Sequence, residues 1–131
     1  MEGIHIIRPA ERTTATMQTA NMRRETAIEP EDEAPGPHLW MGLVTTPAGT
    51  VSGWHHHGSC ATGIYVVSGH ARFTWGPGGS QSAEVGPGDF LAVAPGAIHK
   101  EEALGDEALM MVVARGAAGT LVVNTEGPEP V

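Results

Sequence analysis

Three consecutive histidines, His55, His56 and His57, and a further one closing the run Pro95-Gly96-Ala97-Ile98-His99 are the residues of this sequence best equipped for chemistry. In an extended strand successive side chains alternate faces, so His55 and His57 project to one side with Cα atoms about 6 to 7 Å apart, and His56 projects to the other. Two imidazoles on one face can chelate one divalent ion, which needs neutral nitrogen donors at about 2.0 to 2.2 Å. Crowding assists, because two imidazolium charges repel and the neutral form is favoured. His99 is the natural third donor, and His56 is expected at the surface or an interface.

Such histidines must be held by strands, and the rest of the chain supplies them. Its 131 residues suit one domain able to bury roughly two-thirds of its unfolded surface. Glycines (18) and prolines (10) are frequent, and the apolar stretches between them are short and rich in Val, Ile, Leu and Thr, which favours strands. Strand candidates are residues 39–46, 50–57, 62–68, 71–75, 81–85, 90–93, 98–103, 109–115 and 120–124. The breaks carry turn chemistry, as in Pro47-Ala48-Gly49, Ser68-Gly69, Gly76-Pro77-Gly78-Gly79 and Gly86-Pro87-Gly88-Asp89, where Gly permits positive φ and Pro fixes it. The pattern predicts an all-β sandwich or barrel.

Residues 1–37 are polar and charged and read as an N-terminal arm. It holds a short strand near residues 3–7, a stretch at 10–27 that packs across the barrel or reaches a second subunit, and a solvated acidic connector from Glu29 to Pro37. Residues 38–125 form the barrel domain and 126–131 a frayed tail. Seven basic and fifteen acidic residues give a formal charge of -8, which offers no footprint for nucleic acid or anionic lipid. The lone Cys60 cannot form an internal disulfide and reads as a small filler. No apolar run approaches the roughly 20 residues of a membrane span, and no signal peptide is visible, so a soluble cytoplasmic protein is expected.

If Thr62 faces inward with the histidines, so do Ile64 and Val66, yet Tyr65 and Val67 on the opposite face are apolar too. A strand apolar on both faces is normally covered on both, here by the arm or by a second copy of the chain, and a homodimer is expected. Phe73, Trp75, Phe90, Met110 and Met111 are assigned to the core, with inward members lining a pocket mouth; Trp40 and Trp54 are packing residues. His5, His38 and His70 have no partner spacing and read as ordinary polar positions.

With these residues in view, the segment from about 39 to 115 resembles the cupin superfamily. Its first motif is Gly, five residues, HxH, three or four residues, Glu, six residues, Gly; Gly49, His55, His57 and Gly69 stand in register with it. The second, Gly, five residues, PxGxxH, three residues, Asn, is similar to Gly88, Gly96 and His99, although Ala94 holds the proline position, Pro95 follows one place later, and Ala103 replaces the Asn. The resemblance implies a double-stranded β-helix, the jelly-roll barrel, with a metal on His55, His57 and His99. The motif's Glu falls on Thr62, and Ala61 precedes it, so the usual carboxylate ligand is missing. Three neutral histidines would leave a divalent ion its charge of about +2 and open positions, as catalytic sites do, and such a site favours an anionic or chelating ligand.

Glu101 shares the parity of His99 and is a candidate fourth ligand, an acceptor orienting an imidazole, or a general base; the plainer reading is a solvated strand end formed with Glu102. Thr62 could bond a metal-bound water or substrate through its hydroxyl, or serve only β propensity. Superfamily members with three-histidine sites include iron-dependent dioxygenases, so the resemblance implies a small metal-dependent, dioxygenase-like enzyme acting on a small chelating organic substrate. Iron is the first expectation for the metal, with Zn, Ni, Mn or Cu as others. The alternatives are a non-catalytic binding module, a structural barrel with a degenerate site or, with Zn or Ni, an isomerase, lyase or hydrolytic enzyme.

Overall fold

Strands make up nearly all of the regular structure in the computed structural model, which describes residues 3–14, 22–30, 38–116 and 123–128. They are β1 (Thr13–Thr14), β2 (Arg23–Ile28), β3 (Leu39–Thr46), β4 (His55–His56), β5 (Thr62–Ser68), β6 (His70–Trp75), β7 (Gln81–Val85), β8 (Phe90–Val93), β9 (His99–Leu104), β10 (Leu109–Gly116) and β11 (Val123–Asn124). Two sheets result, one of six strands in the order β1-β2-β3-β10-β5-β8 and one of five in the order β11-β4-β9-β6-β7. All pairings are antiparallel. From β3 onward successive strands pass between the sheets except at the β6–β7 hairpin, so the expected jelly roll forms with its apolar faces turned inward.

The two-residue period does the sorting. Thr62, Ile64 and Val66 are buried while Gly63, Tyr65 and Val67 are exposed, and Leu109, Met111, Val113 and Arg115 form the inward row of β10. Val44, Val66, Ala71, Phe73, Ala103, Leu109 and Met111 close the core between the sheets. Each fully buried aliphatic side chain of this kind contributes roughly 1.5–3 kcal/mol of transfer free energy. Gly69 makes the β5–β6 turn possible: its φ is +80°, and a Cβ there would meet the Ala108 carbonyl at 2.5 Å.

Three expectations change. The strand expected over 50–57 shrinks to His55–His56. Residues 49–52 remain tied to β9 through Gly49 N–H to the Ala103 carbonyl (2.8 Å) and Ser52 N–H to the Glu101 carbonyl (2.8 Å), and the chain then bends at Trp54. Residues 3–7 form no strand, because no described segment pairs with them, and Ile4, Ile6 and Ile7 stay exposed. The N-terminal strands are instead β1 and β2; β2 adds to β3, and Met22, Arg24 and Thr26 are buried there. Gly42 allows this packing, since a Cβ on it would collide with the Glu25 carbonyl and the Trp40 indole.

Phe90, assigned to the core, is 79% exposed. Its register partner is Tyr65, whose outward direction it must share, and the two rings meet on the outer face with centroids 4.7 Å apart and planes tilted by 52°. Met110 is outward for the same reason of parity and is half-buried. The arm therefore leaves the outer face of β5 uncovered among the described residues. The expected strand at 120–124 is seen at Val123–Asn124; residues 120–122 lie outside the described residues, as do 15–21 and the acidic stretch 31–37. No helix among the described residues is long and apolar enough to cross a membrane.

Candidate metal centre

The five-stranded sheet assembles the histidines. His55 on β4 is the register partner of His99 on β9, and cross-strand partners share a face. His57, two residues beyond His55, returns to the same face, while His56 between them is half-buried and accepts a hydrogen bond at Nδ1 from Gly58 N–H (3.0 Å). The loops behind the site are clamped by Gly96 N–H to the Gly58 carbonyl (2.8 Å). Ring centroids lie 4.3 Å apart for His55–His99, 5.1 Å for His57–His99 and 5.3 Å for His55–His57. One ligand atom from each falls within 4.8 Å of the others, and all three side chains are buried.

Their protonation suits a metal. His55 Nδ1 lies 2.9 Å from the Gly53 carbonyl and His99 Nδ1 lies 2.9 Å from the Ala97 carbonyl. A carbonyl only accepts, so each Nδ1 carries the hydrogen and each Nε2 keeps its lone pair for an ion, the usual outer support of a metal-bound histidine. Burial, and after it the neighbouring His99, lowers His55 to about 4, with Arg115 and Arg24 acting the same way and the Gly53 bond opposing. Burial also lowers His99, assisted by Arg115 and His56 and opposed by the Ala97 bond. Both are therefore neutral donors at pH 7.

Behind the histidines is a charged interior whose two arginines sequence reasoning missed. Arg24 on β2, Arg115 on β10 and Glu101 on β9 are all buried and line one small inner cavity with His55, His57 and His99. Both guanidiniums lie against the Trp40 indole, Arg115 Cζ at 5.0 Å and Arg24 Cζ at 5.9 Å from the ring centroid. The indole is anchored by Trp40 Nε1–H donating to Thr26 Oγ1 (3.1 Å). Burial lowers Arg115 to about 10, still charged at neutral pH. Parity was the available signal for Arg115, two residues beyond Val113, but the even positions of β10 are apolar as well and obscure it. Arg24 lies in a segment with no clear period.

The reading of Glu101 and Glu102 as a solvated strand end is corrected for Glu101. Its backbone is pinned at Ser52, with Glu101 N–H donating to Ser52 Oγ (2.9 Å), and its carboxyl points inward with His99. Burial pushes it up to about 7 against the pull of Arg115 and Arg24. It stands outside the three-histidine ligand cluster found among the described residues. Glu102 points outward and pairs with Arg72 (3.6 Å). Thr62, where the resemblance expects a carboxylate, is buried with its Oγ1 unpartnered.

A second, larger cavity of about 410 Å³ opens between the sheets and is lined by Phe73, Trp75, Val85, Leu91, Val93 and His99 among others. His99 borders both cavities, so an ion on the histidines would face an apolar pocket on one side and the charged interior on the other. The Phe73 ring faces that of His99 with centroids 6.3 Å apart and planes inclined by 26°.

Residues 42–115 match the family model described as Cupin domain. No curated protein sequence matches significantly. Among solved structures, a conserved protein with a double-stranded beta-helix domain from Klebsiella pneumoniae aligns with a TM-score of 0.68 at 19% identity, over 82% of this chain and 86% of that one. The Cnp3 cupin domain of Schizosaccharomyces pombe gives 0.65 at 13%, over 81% and 69%. The S161A mutant of Bacillus subtilis oxalate decarboxylase gives 0.71 at 21%, over 88% of this chain and only 30% of that one. At these identities the likeness concerns the fold. With the family model spanning both histidine-bearing motifs and the jelly roll in place around them, this chain belongs to the cupin family.

Proposed function

We propose that this protein is a small metal-dependent oxidoreductase of the dioxygenase type, acting on a small organic substrate that chelates the metal. The observation that carries the reading is the convergence of three buried histidines, of which His99 borders an apolar cavity, with no carboxylate in the ligand cluster. A divalent metal held by His55, His57 and His99 would supply Lewis acidity and, if it is iron, oxygen chemistry. The chain's own residues do the rest. The Gly53 and Ala97 carbonyls fix the imidazoles, Phe73, Val85, Leu91 and Val93 hold the substrate body and exclude water, and Glu101 can accept or return a proton within the interior.

In a dioxygenation both atoms of O₂ enter the product, so the reaction needs no external reductant. Oxygen uptake by iron-loaded protein, screened against small diketones, thiols and 2-hydroxy acids, tests the proposal. It predicts uptake stoichiometric with product, ¹⁸O from ¹⁸O₂ in that product, and loss of both in His99→Ala. Ligand-linked stabilisation of the metal-loaded protein without product from any of these classes would instead identify a binding module.

The same reading includes a homodimer. The outward residues of β3, β10, β5 and β8 carry no charge, and Leu39, Met41, Tyr65, Val67 and Phe90 are exposed there. In a chain of net charge -8, a charge-free apolar face is where two copies approach without repulsion.

A further inference from the structure

The histidine cluster leaves a bound molecule one side on which to extend. The inner cavity behind it measures about 10 Å³, room for a single water at most, so no part of an organic ligand enters there. The larger cavity, bordered by His99, measures about 410 Å³, and no side chain with a formal charge lines it. It does not end there. Trp75 and Ala97, which line it, also line an open groove of about 400 Å³ bounded by Pro77, Ile98 and Pro128. Together the two spaces lie within the range of roughly 300–1,000 Å³ typical of sites for drug-sized ligands.

The groove is built onto the strand that carries a candidate ligand. Trp75 is the register partner of His99 across β6 and β9, so its indole shares a face with the imidazole, and Ala97 and Ile98 lead directly into His99. Two turns keep part of its wall bare: Gly76 and Gly96 line it with φ of +84° and +73°, a backbone region that favours glycine. A Cβ on Gly96 would meet nothing within 4 Å. Trp75, Ala97, Ile98 and Pro128 are only half-buried, so apolar surface faces water until a ligand covers it. No charged side chain lines the groove. Continuity with the cavity that His99 borders names the occupant as whatever chelates the metal. We infer that the substrate carries an elongated apolar tail, which fills the larger cavity and runs along Trp75 and Ala97 into the groove. Ala97 sets the length accepted, because it belongs to both spaces and a longer side chain there would fill their junction. The chelating head rests on the functional reading above; the tail subsite does not.

Calorimetric titration of chelator-stripped protein with 1-alkanols from hexanol to decanol tests the subsite without any metal. One alkanol per chain is expected, with affinity rising about fourfold per methylene through the series. Ala97→Leu should leave 1-hexanol within about twofold of the wild type and weaken 1-decanol at least about tenfold, close to the value of two buried methylenes. Ile98→Ser, which removes apolar wall from the groove alone, should weaken 1-decanol at least about fourfold, and it carries the test if Ala97→Leu does not fold. No alkanol heat, affinity that stops rising at 1-hexanol in the wild type, or one series shared by the wild type and the folded variants would overturn the inference. In iron-loaded protein the alkanols should inhibit oxygen uptake competitively, with inhibition constants that follow the binding series. Binding without inhibition would separate the groove from the metal centre and overturn the substrate assignment. Alkanol binding that depends on Ala97, in a protein without oxygen uptake on any class of the screen above, would uphold the subsite and overturn the enzyme reading alone.

Discussion

Replacing Glu101 by Gln should change how the stability of the metal-free protein depends on pH, in a direction fixed by its burial. The Glu101 carboxyl ordinarily titrates near 4.5 and is raised to about 7 in the fold. Below 4.5 it is protonated in folded and unfolded chains alike, and its contribution is fully present. As pH rises from 4.5 to 7 the unfolded chain releases its proton first, so stability is lost across that window. At about 1.4 kcal/mol per pH unit the loss comes to roughly 3 kcal/mol. His55 runs the other way. Its fall from 6.5 to about 4 gives a contribution present above 6.5 and lost as pH drops towards 4, again roughly 3 kcal/mol. In the wild type Glu101 opposes His55 between 4.5 and 6.5, with His99, also lowered, acting with His55. In Glu101→Gln the contributions of His55 and His99 are no longer opposed by the carboxyl, so stability should climb more steeply with pH than in the wild type. Urea unfolding of chelator-stripped protein at half-unit steps from pH 4.5 to 7.5 measures both curves. Their difference isolates Glu101, since other groups are common to both, and Glu101→Gln should gain roughly 3 kcal/mol on the wild type over that range. Parallel curves would refute the reasoning and place Glu101 ionised throughout, held by Arg24 and Arg115.

Leu109 is fully buried between the sheets, so Leu109→Ala should cost about 2–5 kcal/mol by urea unfolding; less than about 1 kcal/mol would show that this end of the core is loosely packed. Phe90→Lys, which places a charge on the apolar outer face, should shift sedimentation velocity from dimer to monomer without changing the circular dichroism spectrum. A wild-type protein that sediments as a monomer at micromolar concentration would remove the dimer from the account.

The histidine centre was legible because strand parity and motif spacing both act over short distances: His55 and His57 need only a two-residue alternation, and His99 a glycine turn at the right offset. Most strands of the barrel were legible for the same reason, each being a short alternating run between glycine-rich turns. What escaped was set by pairings distant in sequence. β2 buries Arg24 because it adds to β3, a docking that no local period announces, and Arg115 meets the Trp40 indole only because β10 pairs with β3. Phe90 looks like a core residue by type, yet its register with Tyr65 turns it outward. Glu101 looks solvated by type, but its parity with His99, which the sequence already offered, turns it inward. In each case registration overrode residue preference.

If His55, His57 and His99 hold a metal, elemental analysis of untagged protein purified without chelators should find near-stoichiometric divalent metal in the wild type, iron first, and its loss in a His57→Ala variant that keeps its β-sheet spectrum. Wild-type protein that contains no metal and takes up none when iron, manganese or zinc is supplied would contradict it.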